Sequence, residues 1–206
     1  RGNSPGAGGA VAEAATAAEQ PGNMSNWQSI TPEMVLKHQR PSDGFLCPME
    51  ANTYGIEFQE FQIKDYSSGK TVYASPGAGA APDMMATAVA GDAEMRSVKY
   101  SFPTDFLTFQ TIRTALRFKV GDQPANNFRM IEIHYFKDKV VRVYDFTFGF
   151  CIPNSTNSWE AIYDVPKYTS SQVTDYVANP FAHKSDSFYF VDNKLIMHNK
   201  AEYQYV

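Results

Sequence analysis

The chain has 206 residues, 43% of them hydrophobic, a formal net charge of −4 and a pI of about 5.6. That length suffices for one domain with a real core, and the lack of any Lys/Arg stripe argues against nucleic acid as a partner. No apolar run approaches the roughly 20 residues of a spanning helix, so no stable membrane insertion is expected.

Residues 1–26 are rich in Gly, Ala, Glu and Asn and carry almost no large apolar side chain. Such a segment buries too little surface to offset its ordering entropy, which predicts a disordered tail ahead of a domain spanning 27–206. The GAGGA at Gly6–Ala10 is not a phosphate loop, because no strand precedes it and no helix follows. A short helix is expected over 31–39, with Thr31 as cap, Pro32 in its first turn and Glu33 on the positive end of the dipole. Pro41, Asp43 and Gly44 end it. Aromatic and β-branched residues over 54–66 predict a strand, Ser67–Gly69 a turn, and Lys70–Ala74 a short partner strand. The Gly/Ala/Pro-rich stretch 75–95 predicts a long mobile loop, with room for one helical turn near Met84–Val89.

Strands resume at Ser97–Phe102 and at Ile112–Val120, where Ile112, Thr114, Leu116, Phe118 and Val120 alternate with Arg113, Arg117 and Lys119. Residues 128–150 read as a hairpin with its tip at Lys137-Asp138-Lys139. Tyr144, Phe146, Phe148 and Phe150 share one parity and are expected on one face. Phe128, Met130, Glu132, His134 and Phe136 share a parity on the other strand. A carboxylate among rings is costly to bury alone, so Glu132 needs a partner, a place at a mouth, or a surface position. A helix over Ser171–Ala178 precedes the Asn179-Pro180 break. The end of the chain is β again: Ser187–Val191, an Asp192-Asn193 turn, Lys194–His198, then alternating Ala201, Tyr203 and Tyr205. Eight or nine strands with two short helices and no repeat predict an all-β antiparallel sandwich.

Catalytic and metal motifs are missing. His38, His134, His183 and His198 have no ligand spacing, and no GxSxG elbow is present. Cys47 and Cys151 read as two buried thiols. With no secretory signal, a reducing cytosol is expected, and the sequons at Asn23 and Asn154 then carry no meaning. Because the chain starts at Arg1, a terminal lipidation signal is not legible. A binding protein without cofactor or metal is expected rather than an enzyme. Four rings in a row fill a core or line a hollow one, and composition leaves both open.

FRMIEIHYF, YDFTFGFCIP and SDSFYFVDNKLIMHNKAEYQY closely resemble the uncoordinated-119 branch of the phosphodiesterase-delta-like family. The resemblance covers about residues 30–206, apart from the loop near 75–95, and includes Asp43–Cys47 and Val120–Asp122. It implies an immunoglobulin-like β-sandwich with an apolar cavity between its sheets. It also implies a monomeric cytoplasmic carrier of N-myristoylated proteins that begin with glycine, delivering them notably to the cilium or flagellum. A GTP-bound Arf-like small GTPase is the implied releasing partner. The lipid-binding positions implied by the aligned motifs are Phe61, Ile63, Tyr100, Phe106, Glu132, Tyr144, Tyr163, Ser187 and Tyr189. Tyr144 stands where phenylalanine is usual. Ala161 replaces a histidine and Val165 a phenylalanine, which predicts a wider or reshaped cavity and leaves chain-length preference open. A prenyl carrier of the sister branch, or a filled sandwich that binds protein surfaces, are the competing readings.

Overall fold

The computed structural model describes residues 24–75 and 96–206. All but the end of the predicted tail, almost all of the 75–95 loop and the helical turn at 84–89 lie outside the described residues. The strands are β1 (Glu57–Asp65), β2 (Thr71–Ser75), β3 (Ser97–Phe102), β4 (Thr111–Lys119), β5 (Ala125–Phe136), β6 (Lys139–Cys151), β7 (Thr156–Asp164), β8 (His183–Val191) and β9 (Lys194–Tyr205). They form a four-stranded sheet in the order β2-β1-β4-β7 and a five-stranded sheet in the order β3-β9-β8-β5-β6. This is the predicted sandwich, with one correction: β3 runs parallel to β9, so the larger sheet is mixed.

The larger sheet is covered on both faces. Its outward residues Ile131, Ile133, Tyr135, Phe188, Phe190 and Leu195 are buried beneath residues 27–51, which contribute Ile30, Val35, Leu46 and Cys47. This explains why the second half of β8, Phe188–Val191, is apolar and buried without alternation. The covering segment is pinned by polar bonds. Asp186 accepts from the Ser42 amide (2.9 Å), from Lys200 Nζ (2.7 Å) and from His198 Nε2 (3.1 Å). The Leu46 amide donates to His198 Nδ1 at 3.0 Å, which leaves the proton of the neutral ring on Nε2. Burial pushes the Asp186 carboxyl up, but the His198 and Lys200 bonds outweigh it and hold it at about 2.

Several local expectations are corrected. The 31–39 helix is one turn, α1 (Pro32–Val35), and the Thr31 side chain makes no capping bond. The chain must turn away there so that Leu46 and Cys47 reach the sheet. The second helix, α2 (Ser170–Ala178), has a full capping box between Thr169 and Gln172. Phe150 does not continue its ladder: it is 61% exposed, whereas Cys151 is buried. Gly149 has φ +86 and sits at a register shift against β5, so the strand parity flips after Phe148. β7, not anticipated as a separate strand, alternates inward Trp159, Ala161 and Tyr163 with outward Ser158, Glu160 and Ile162. Cys47 and Cys151 are free and buried; burial pushes the Cys47 thiol up to about 11.

Candidate functional site: an apolar cavity between the sheets

The inward faces do not close on one another. Between a packed end around Phe118, Phe128, Val191 and Ile196 and a second end around Phe102, Ile112, Tyr203 and Tyr205 lies a cavity of about 390 Å³. That is in the range of small-molecule sites, about 300–1,000 Å³. Its walls are mostly apolar and aromatic. The smaller sheet contributes Phe58, Phe61, Ile63, Thr114, Leu116, Trp159 and Tyr163; the larger contributes Tyr100, Met130, Glu132, Tyr144, Phe146, Ser187 and Tyr189.

Two devices shape this lining. In β1 the register shifts between Phe58 and Glu60, so Phe58 and Phe61, an odd number of positions apart, both face inward. Aromatic pairs then hold the sheets together along both long edges. Tyr73 of β2 meets Tyr100 of β3 at 5.0 Å; Tyr144 and Phe146 of β6 meet Tyr163 at 4.8 Å and Trp159 at 5.0 Å across to β7. Rings 5 Å apart in edge-on or tilted contact bridge the gap without filling it. A shallower depression of about 530 Å³ beside β1, β4 and β7 carries outward charges, including the exposed Arg117–Glu60 pair. It lacks the apolar enclosure of the inter-sheet cavity.

All nine residues singled out from sequence, namely Phe61, Ile63, Tyr100, Phe106, Glu132, Tyr144, Tyr163, Ser187 and Tyr189, line this cavity. Of the two departures, Val165 lines it and Ala161 does not, so any widening lies at position 165. Met130, Trp159, Arg142 and Tyr168, not singled out from sequence, also line it, as does Phe146, a ring that sequence left open between core and lining. The parity of Phe146 and Met130 carried that signal. Tyr168, in the connection between β7 and α2, carried none.

Glu132 is neither orphaned nor on the surface. His134 Nε2 lies 3.5 Å from its carboxylate and the Ser187 hydroxyl donates to it at 3.3 Å. Burial pushes its carboxyl up, but His134, with bonds from His134, Ser185 and Ser187, outweighs that and leaves it below the usual range. The histidines expected to stand alone are in part coupled: His134 Nδ1 meets His183 Nε2 at 3.0 Å, and His183 Nδ1 meets the Tyr205 hydroxyl at 2.5 Å. Burial holds His183 well below its ordinary value, so it is neutral near pH 7. Burial pushes the Tyr189 hydroxyl up, and the neighbouring Ser187 and Asn199 side chains offset part of that. The cavity is therefore apolar along most of its length, with one anionic pole beside Ser187 and Tyr189.

Among the described residues, no His/Cys/Asp/Glu cluster fits a metal ion and no helix is long and apolar enough to cross a membrane. The family model described as "GMP-PDE, delta subunit" matches residues 50–205. Protein unc-119 of Caenorhabditis elegans is 44% identical over 178 residues, covering 85% of this chain and 80% of the relative. Protein unc-119 homolog B of Homo sapiens is 42% identical over 184 residues (86% and 72%). The unc-119 homolog of Drosophila melanogaster is 40% identical over 193 residues (86% and 73%).

Proposed function

The chain belongs to the GMP-PDE delta-subunit family, in its unc-119 branch, and from that premise we propose that it carries proteins whose N-terminal glycine is myristoylated. Membership of the family makes it a lipid-binding carrier in general and not an enzyme. The observation that supports the acyl ligand is the hollow between the sheets, enclosed by aromatic rings and bearing one carboxylate-centred polar pole.

The energetics fit a carrier that competes with membranes. A buried methylene contributes roughly 0.8 kcal/mol, so about a dozen of them supply on the order of 10 kcal/mol before ordering costs. A single myristoyl chain holds a bilayer at only about 10⁴ M⁻¹, or about 5–6 kcal/mol. A cavity of submicromolar affinity therefore extracts a singly acylated protein and leaves a doubly lipidated one in place. Glycine at the first position leaves room at the polar pole, and the buried amide needs partners there. Glu132, held by the Ser187 hydroxyl, accepts from its N–H, and the Tyr189 hydroxyl donates to its carbonyl. Release by a GTP-bound Arf-like GTPase, and traffic through cytoplasm toward a cilium or flagellum, complete the reading.

The test is extraction. Vesicles carrying an N-myristoylated Gly-starting peptide are sedimented with and without the protein. The reading requires peptide to move into the supernatant in proportion to protein, and to return to the pellet when a GTP-loaded Arf-like GTPase is added. Peptide that stays with the vesicles at tenfold protein excess rejects it.

A further inference from the structure

The cavity has a second polar pole, and it is cationic. Arg142 on β6 lines the cavity together with Tyr144 and Tyr168. Its Nη1 donates to the Tyr144 hydroxyl at 2.8 Å and its Nη2 to the Tyr168 hydroxyl. Its Nε–H is buried and has no acceptor. Among the described residues no Asp or Glu forms an ion pair with it; Glu132, in the same cavity, is engaged by His134 and Ser187 instead. The Tyr144 oxygen, by accepting from the guanidinium, keeps its own proton to donate.

A guanidinium in a largely apolar enclosure, with an unused N–H and a phenol beside it, lacks only its anion. An acylated glycine cannot supply one, since its amide is neutral. We propose that the cavity also takes free long-chain fatty acids, with the carboxylate on Arg142 and Tyr144 and the tail along the rings. This rests on the carrier reading for the tail and goes beyond it for the head. The two poles then sort the two ligands. The Glu132 carboxylate repels a fatty acid head and accepts the N–H of an acyl amide; Arg142 attracts the carboxylate. The ligand classes share the apolar walls, so they compete.

The test compares dodecanoate with methyl dodecanoate by calorimetric titration of the full chain at pH 8, where the acid is ionised. The ester keeps the tail and removes the charge. A hydrogen-bonded charge contact predicts that the wild type prefers the acid by about ten- to a hundredfold. Arg142→Met should abolish that preference, whatever happens to the ester itself, and Arg142→Lys should retain part of it. Should Arg142→Met not melt cooperatively, Tyr144→Phe serves as the second variant and should lower the ratio severalfold. Equal binding of acid and ester by the wild type overturns the inference, as does a preference that survives Arg142→Met. Wild type that takes up an N-myristoylated peptide but not dodecanoate overturns this inference alone. Failure with all three ligands takes the carrier reading with it.

Discussion

Replacing Leu116 with tryptophan should shorten the acyl chain that the protein prefers. Leu116 sits at the middle of β4, opposite Phe61 on one side and Trp159 on the other, and its side chain lines the cavity. An indole there projects into open space rather than into packed atoms, so the overpacking penalty of a filled core does not apply. If it takes the room of about three methylenes, a myristoyl group loses about 2.4 kcal/mol of burial, or roughly 60-fold in affinity. A decanoyl group, short enough to avoid the indole, should lose less than about threefold. The assay is fluorescence anisotropy with Gly-starting peptides carrying C10, C12 and C14 acyl groups, with urea melts of both proteins run alongside. A folded variant that binds all three chains as the wild type does would show that the lipid does not pass Leu116. A uniform loss across chain lengths would place the lesion in the fold rather than in the cavity.

Further outcomes follow from other parts of the structure. Ser187→Ala removes the hydroxyl that donates to Glu132 and should cost the myristoylated peptide about 1 kcal/mol, near fivefold, in the same anisotropy titration; unchanged affinity would detach Ser187 from the polar pole. Asp186 titrates at about 2 in the fold against an ordinary 3.8. Its contribution of about 2 kcal/mol is complete above pH ~4 and is lost as pH falls toward 2. His183 and His198, both held below their ordinary value, add an earlier loss as pH falls below about 6.5, because the unfolded chain protonates first. Urea melts from pH 8 to pH 3 should show both limbs, and Asp186→Asn should remove the acid one; a flat profile would contradict the assignment. Gly121→Ala should destabilise by about 1–3 kcal/mol, since its Cβ would lie 2.8 Å from the Tyr54 carbonyl oxygen and 3.3 Å from the Gly55 Cα. A thermal melt that matches the wild type would refute that contact.

The legible parts of this fold were those where side-chain period and backbone agree. β4 alternates without interruption from Ile112 to Phe118, and its inward residues are the ones predicted. The ladder on β6 was legible through Phe148 and failed at Phe150, because a glycine at positive φ shifts the register and period alone does not reveal a bulge. The parallel pairing of β3 with β9 was not legible, since pairing partners as far apart in sequence as Ser97 and Lys200 leave no local trace. For the site, the aligned motifs brought together nine positions that the structure also brings together. They did not reveal Arg142 and Tyr168. An arginine flanked by Val141 and Val143 reads as an outward charge on a strand, yet the two valines are the exposed ones, 41% and 43%, and the arginine faces the hollow. The coupling of His134 to His183 likewise depends on β5 and β8 lying side by side, which spacing in sequence does not encode.

The central claim is that the hollow between the sheets holds an acyl chain attached to an N-terminal glycine. The most direct measurement is an anisotropy titration of one Gly-starting peptide in three forms: N-myristoylated, C-terminally farnesylated, and unlipidated. The account predicts submicromolar binding of the myristoylated form alone. Preference for the farnesylated form would assign the cavity to prenyl groups, and binding that ignores the lipid would contradict the account.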